Sequence, residues 1–541
     1  MSAGFDYIVV GSGSAGSIIA ARLSEDPTVS VLLVEAGRRD DHPFMAMPIA
    51  FPRVATTRAY VWPYETEPEP GLDGRRLPVW RGRTLGGCSS INAMINVRGN
   101  RADYDGWRQR GLAGWGYADV LPYFNRLETS WRGAGRFHGG DGPIGSVPVD
   151  RPEHHWPALR DAAAALGIPE REDLHGEGQE GISRLELTTN NGRRASTARA
   201  YLRPALKARR NLTVWTRAPA LRVVVERGRA TGVDVLRAGR RETVTAAREV
   251  IVSAGTYASP QLLLLSGIGP AEHLRAVGVP VVHDLPGVGE NLQEHPNLLN
   301  IHRAGAAHGL TPHLRLDRAT WAVLRWAIRG DGPFATAGTS ANLFVRSQPG
   351  LDRPDVQIIL MPVHQHAGLW FPGLTAPPVP AFTARVGVLH ARSRGWVRLR
   401  STDPLDLPRI RFNMLTDPAD MAAMIAALKL SRAIFAQAPL RDLVADELRP
   451  GPQWQTDAEI AAAIRAQAEH RHHACGTCRM GTDPLAVVDA ELRVHGIATL
   501  RVADASVMPD DPSGNTNVPT MMIGEKAADL IRGRTLAPAD V

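Results

Sequence analysis

Lysine is nearly missing from this chain. Of 62 basic residues only Lys207, Lys429 and Lys526 are lysines; the rest are arginines scattered through 541 residues. The formal charge of +7 is carried in short pairs such as Arg193-Arg194, Arg209-Arg210 and Arg240-Arg241, and no run has the length of a nucleic-acid patch. A basic, solvated surface is the reading, with no nucleic-acid partner. Cysteine is also scarce. Cys88, Cys475 and Cys478 form an odd set of three, which argues against a secreted disulfide framework. No apolar run is long enough to cross a bilayer, so no integral membrane segment is expected. The chain enters a strand pattern at Phe5 with no charged and then apolar leader before it, which makes a cytoplasmic location the expectation.

What is present is a globular composition, 44% hydrophobic and 22% charged, in a chain long enough for more than one domain. Phe5 to Val10 reads as a buried parallel strand that runs directly into Gly11-Ser12-Gly13-Ser14-Ala15-Gly16. A helical pattern follows from Ser17 to about Ser24, then a second strand from Val29 to Val34 that ends at Glu35-Ala36-Gly37. Strand, glycine turn, helix, strand and acid together make a dinucleotide site. Gly11 permits the tight turn, Gly13 lets a pyrophosphate approach the backbone, Gly16 packs helix on strand, and the helix N-terminus faces the phosphates. Glu35 can accept hydrogen bonds from ribose hydroxyls, so FAD or NAD fits better than NADP.

From Ala50 to Arg81 the chain reads as irregular. Gly82 to Ile95, with Gly86-Gly87 and Asn92, suits either a flat polar ring or phosphate, or a plain surface turn. Trp107, Trp115 and Trp131 read as core or lid packing. Glu249 to Gly255 reads as a buried strand ending at small residues, and Thr256 to Gly267 as the helix that follows, with Pro260 near its start. Alternating runs at Asp355 to Met361, Arg385 to Leu389 and Gly395 to Arg400 suggest an antiparallel sheet, and Ala419 to Gln437 a long helix. Near the C-terminus, His472-His473-Ala474-Cys475-Gly476 offers an imidazole beside a glycine. Ser513-Gly514-Asn515-Thr516-Asn517 leads into a helix from Thr520 to Ile531. Asn517 fits a helix cap, an active-site amide, or both. Cys475 and Cys478 have dithiol spacing but no thioredoxin-like setting. Adjacent residues such as His472 and His473 rarely reach one tetrahedral zinc, so no metal is expected.

Taken together, Gly11 to Gly16 with Glu35, Gly82 to Ile95, Ser253 to Pro270, His473 to Gly481 and Asp504 to Leu530 resemble the glucose-methanol-choline (GMC) family of FAD-dependent oxidoreductases. The resemblance implies an α/β fold: a discontinuous Rossmann-like FAD-binding domain in residues 1–155, 195–305 and 460–541, and a substrate domain on an antiparallel sheet with flanking helices in 156–194 and 306–459. It implies His473 as the catalytic base and Asn517 as the second active-site residue. His472 would line the cavity or pack beside it. Cofactor contacts are implied at Gly11, Gly13, Ser14, Ala15, Gly16, Glu35, Ala36, Arg83, Gly86, Gly87, Asn92, Ala93, Met94, Ile95, Ala254 and Gly255, and further on at Asp504, Ala505, Asn515, Thr516, Pro519 and Thr520. Ala220 stands where many members have a Val against the adenine. Ile91 stands where some members attach FAD through a His, so the FAD should be non-covalent. Thr339 to Phe344 carries no acid where choline-oxidising members place a Glu. The expectation is oxidation of a primary alcohol, aromatic or heteroaromatic such as a hydroxymethylfurfural or benzyl alcohol, with oxygen or a quinone-like acceptor, by a monomer or homodimer. The alternatives are a choline- or aliphatic-type dehydrogenase, a non-redox lyase, and a flavin-binding protein without catalysis.

Overall fold

Val9, Val10 and the whole of Val31–Val34 are buried on both faces, which a parallel strand covered by helices on each side requires. These residues belong to β1 (Gly4–Val10) and β2 (Val31–Val34), joined through helix α1 (Gly16–Leu23). The computed structural model describes residues 4–306 and 308–541. The nucleotide-side sheet runs in the order Leu212–Trp215, β2, β1, Arg240–Val252, Arg229–Arg237, Ala220–Glu226, with Leu500–Val502 as the seventh strand. The Arg240–Val252 strand serves two kinds of ladder. Its first part pairs antiparallel with Arg229–Arg237, and its end lies parallel between β1 and Leu500–Val502, with Val252 opposite both Val10 and Val502. Ile8, Ile18, Leu32, Val250, Val502 and Met522 meet in one core.

The second large sheet is antiparallel: Val444–Arg449, Pro296–Ala304, Ala381–Val388, Val356–Met361, Ala341–Val345, Gly181–Arg184, with Glu469–His470 paired to Pro296 and Asn297. Alternate side chains sort onto its two faces. Ala341, Leu343, Ile358 and Leu360 pack under the helices Trp156–Ala164 and Pro418–Phe435. Phe344 and Ile359 turn the other way, onto Met94, Ile95 and Val97 of the loop that follows the Gly86-Gly87 turn. Asn342 and Gln357 have the same parity and lie on that inner side, as the functional site below shows.

Several sequence expectations change. Pro296–Ala304, expected in the 195–305 nucleotide-binding piece, is a strand of the antiparallel sheet, held between Val444–Arg449 and Ala381–Val388. Among the described residues, Trp396–Arg398 pairs only with Arg409–Arg411, outside that sheet. The supposedly irregular 50–81 stretch contains a hairpin, Val61–Glu65 against Pro78–Gly82. Pro260 lies well inside the Gly255–Leu265 helix rather than at its start. The carbonyl it leaves without a helical donor, that of Thr256, accepts instead from Thr477 Oγ1 at 2.6 Å. Trp107 and Trp115 are core, while Trp131 is 47% exposed.

Candidate active site

The glycine turn is shaped by close approaches. A Cβ on Gly16 would lie 1.9 Å from the Gly11 carbonyl oxygen, so only glycine lets α1 start this near β1. A Cβ on Gly13 would meet nothing nearer than 3.9 Å, which leaves the turn open on the side where a pyrophosphate is expected. The Gly86-Gly87 loop closes against this turn. Gly86 N–H donates to Ser12 O at 2.8 Å, and a Cβ on Gly87 would sit 2.8 Å from Gly13 Cα. Glu35 is buried; its Oε2 accepts from Ser12 N–H and Oγ, and its Oε1 from Gly37 N–H. Burial pushes its carboxyl up, against those hydrogen bonds. Oε1, which accepts only one of these bonds, keeps a second lone pair for a ribose hydroxyl. Ala36 and Arg83 line an open cleft of about 520 Å³ at this end, together with Gly37, Arg217 and Pro219. Ala220 begins the adjacent strand, opposite Val235.

Several of the remaining expected cofactor residues pack against the same turn. Ala15 is buried, and a Cβ on Gly524 would come within 2.9 Å of its Cα, so the Asn517–Ile531 helix packs on the start of α1. Thr516 caps that helix; Pro519 and Thr520 are buried in its first turn. Asp504 ties its own turn to the start of the Gly255–Leu265 helix, accepting from Gly255 N–H at 2.8 Å, Ser259 Oγ at 2.6 Å and Ser506 N–H at 2.8 Å, while Ala254 N–H goes to Ser259 Oγ and Ala505 O accepts from Gly476 N–H. Asn92 Oδ1 accepts from Met94 N–H and from Arg194 Nη1. Met94 adopts φ +59°, and Ala93 and Ile95 pack on either side of it in one apolar cluster.

His473 is placed by the antiparallel sheet. The chain leaves the Glu469–His470 strand, and His472 takes φ +64°, a left-handed conformation uncommon outside glycine. That turn leaves the His472 ring exposed, stacked edge-on to His470 with centroids 4.1 Å apart, and the His473 ring buried. His473 N–H donates to Glu294 Oε1 at 2.8 Å. Burial, then the nearby His295, Arg471, Arg81 and Arg385, hold the His473 imidazole well below its ordinary pKa, so it is neutral and can accept a proton near pH 7.

The amide partner differs from expectation. Asn515 Nδ2 lies 2.9 Å from His473 Nε2, whereas Asn517 Oδ1 accepts from Ser14 Oγ at 2.7 Å. Asn517 is the first residue of the helix, and its side chain is directed at the glycine turn on which that helix packs. Asn515 precedes the cap, in irregular backbone that faces the antiparallel sheet. The pairing of His473 with Asn517 is therefore corrected to His473 with Asn515. The sequence reading also passed over Glu294, His295, Gln357 and Arg471, which surround His473; the Glu294-His295 and Arg471-His472 pairs, charged groups inside otherwise buried stretches, were the available signal.

A dinucleotide turn that shares its surroundings with a neutral imidazole and a facing amide is the arrangement of an oxidoreductase of the flavin or nicotinamide class. Comparison with known proteins narrows the class. The GMC oxidoreductase description fits residues 5–297 in its N-terminal part and 391–524 in its C-terminal part. The oxygen-dependent choline dehydrogenase of Sinorhizobium fredii (strain NBRC 101917 / NGR234) is 44% identical over 533 residues, 98% of this chain and 96% of that one. That of Burkholderia cenocepacia (strain HI2424) is 44% identical over 546 residues, 99% and 95% of the two chains. Among solved structures, pyridoxine 4-oxidase from Mesorbium loti superposes with a TM-score of 0.86 at 32% identity over 97% of this chain and 98% of that one. Aspergillus oryzae RIB40 formate oxidase superposes with a TM-score of 0.91 at 28% identity, covering 98% and 99%. The chain belongs to the GMC oxidoreductases, and it is an FAD-dependent alcohol oxidoreductase.

Proposed function

We propose that the protein oxidises a primary alcohol to the aldehyde, with His473 as base and Asn515 holding the reacting oxygen. The observation that carries this is the 2.9 Å approach of Asn515 Nδ2 to His473 Nε2. A hydroxyl that replaces this direct contact gives its proton to Nε2 and receives an Nδ2–H on its oxygen, which fixes the C–H bond in one direction. FAD, when bound, supplies the hydride acceptor. The backbone at Gly13 and the start of α1 would hold its pyrophosphate, Glu35 its ribose, and the N-terminus of the Asn517–Ile531 helix would face negative charge gained on reduction. Ile91, the position of covalent attachment in some relatives, packs among Met45, Val54, Tyr60 and Val61 and has no nucleophile, which supports a non-covalent FAD.

For the substrate, the relatives matched over nearly the whole chain favour a choline- or aliphatic-type alcohol over the aromatic one. A specific observation keeps a second reading, a neutral hydroxymethyl compound such as a furfuryl or benzyl alcohol. Next to Asn515 the inner face of the sheet presents amides, Gln357 and Asn342, and Asn342 stands in the strand where a carboxylate would hold a quaternary ammonium. Anaerobic mixing with choline, an unbranched aliphatic alcohol, hydroxymethylfurfural and benzyl alcohol tests both. Bleaching of the flavin by the first two supports the choline- or aliphatic-type reading, and bleaching by the last two alone supports the second. No bleaching by any alcohol overturns the assignment. Admission of air then reads whether oxygen is the acceptor, as the names of the oxygen-dependent choline dehydrogenases say of those relatives.

A further inference from the structure

Two buried side chains behind His473 have no part in the reading above. His295 is fully buried, and its Nδ1 lies 3.0 Å from His473 Nδ1 with the two rings nearly perpendicular. Its Nε2 lies 3.5 Å from Asp511 Oδ2. Among the described residues, His295 Nε2 and both Asp511 side-chain oxygens lack a well-formed hydrogen bond; the other polar groups beside them are the Leu389 backbone at His295 and the Cys475 thiol at Asp511. His295 comes from the stretch before the Pro296–Ala304 strand and Asp511 from the loop before Asn515, so two remote pieces of chain bring these groups to the back of one imidazole.

On the front of His473 the hydrogen bonds have only one consistent direction. Arg471 is buried, and a guanidinium only donates. Its Nη1 meets Gln357 Oε1, its Nη2 donates to the backbone oxygens of Gln357 and Arg385, and its Nε donates to Asn297 Oδ1. Gln357 is thereby oriented with Nε2 towards Asn342 Oδ1 at 3.0 Å and Asn515 Oδ1 at 3.3 Å. With its oxygen so engaged, Asn515 has only its Nδ2–H to offer His473 Nε2. A nitrogen that receives a donor carries a lone pair, so a neutral His473 has its proton on Nδ1. That proton needs an acceptor, which is His295 Nδ1, and a neutral His295 then carries its own proton on Nε2, towards Asp511.

We propose that the chain Asp511–His295 on one side and Arg471–Gln357–Asn515 on the other fixes His473 in the tautomer with its lone pair on Nε2, which makes His295 and Asp511 positioning residues for proton removal. When Nε2 takes the hydroxyl proton, the O–H bond breaks and an N–H bond forms. The doubly protonated ring keeps donating Nδ1–H to His295, and Asp511, whose carboxyl burial holds well above the usual carboxylate range, acts on His295 by position, without any change of electron count in the protein. This rests on His473 acting as the base proposed above, but the tautomer itself is observable without substrate.

The test uses FAD-loaded protein with 15N-labelled histidine, the His473 signals being assigned by their loss in His473→Gln. The expected wild-type spectrum has an unprotonated Nε2 and a protonated Nδ1 on His473. In His295→Leu, which removes the acceptor, the two tautomers should mix, and alcohol-driven flavin reduction should slow about 100-fold with FAD still bound. His295→Asn keeps an oxygen where Nδ1 was; it should keep the tautomer and return reduction to within about 5-fold of wild type. Asp511→Leu, read in the same two ways, stands in if His295→Leu does not fold. A wild-type His473 protonated on Nε2, an unchanged tautomer and rate in His295→Leu, or an equal loss in His295→Asn overturns the proposal. If no alcohol reduces the wild-type flavin, the base role fails instead, and the 15N spectra still decide the tautomer.

Discussion

The two asparagines of Asn515-Thr516-Asn517 should separate cleanly on replacement by alanine, because they sit on opposite sides of a helix cap. Asn515→Ala removes the Nδ2–H that lies 2.9 Å from His473 Nε2 and would stabilise a developing alkoxide. Losing one such donor costs about 3–4 kcal/mol in the transition state, or roughly 10²–10³-fold in the rate of flavin reduction. FAD binding should change little, since the contact is on the sheet side. Asn517→Ala instead removes the acceptor of Ser14 Oγ at 2.7 Å, between the last helix and the glycine turn. Ser14 is 9% exposed, so the stranded hydroxyl costs about 1–3 kcal/mol, which would weaken FAD binding by roughly 5- to 150-fold. Reduction of the FAD that remains bound should stay within a few-fold of wild type. Stopped-flow reduction under anaerobic conditions and FAD release followed by fluorescence measure the two effects on the same preparations. Wild-type reduction in Asn515→Ala, or an equally slow reduction of bound flavin in Asn517→Ala, would refute the pairing.

Other perturbations read other parts of the molecule. Gly16→Ala places a methyl 1.9 Å from the Gly11 carbonyl oxygen; neither backbone can yield, so the purified variant should carry little flavin absorbance, and full yellow colour would contradict the turn geometry. Acid should destabilise the fold through buried histidines held neutral. Burial pulls His154 and His302 down to about 4 and His295 to about 3. The unfolded chain therefore binds more protons than the folded one below about pH 6.5, and stability falls as pH falls. Between pH 7 and 5 each such group costs about 2 kcal/mol. His138, raised to about 9 by Asp173 and Glu128 despite its burial, works in the opposite direction over this range, by about 1 kcal/mol. A thermal midpoint at pH 5 equal to or above that at pH 7 would contradict this balance.

The nucleotide half was legible because its signals are local. Strand, Gly11 to Gly16, helix and Glu35 lie within about thirty residues, and Gly16 is required by a contact inside that unit, with the Gly11 carbonyl. The long Pro418–Phe435 and Asn517–Ile531 helices were visible from their periodicity for the same reason. What escaped depends on contacts between distant pieces of chain. Nothing near His473 says that Glu294 and His295, 179 and 178 residues earlier, will flank it. Asn515 and Asn517 are equally polar and two residues apart; only the helix start, which turns Asn517 onto Ser14, distinguishes them. Pro296–Ala304 was misassigned because a buried strand looks alike in either sheet, and its partners at 381–388 and 444–449 are far along the sequence.

The strand Leu500–Val502, hydrogen-bonded to Val250–Val252, sets the order in which this molecule can be made. A ribosome that has released the first half of the chain has delivered β1, β2 and the long Arg240–Val252 strand, but one flank of that strand stays bare until residue 502 emerges. Synthesis therefore leaves an apolar edge waiting through about 250 further residues, at some 5–20 residues per second, and a chain that stops short of 500 exposes an edge ready to pair with a neighbour.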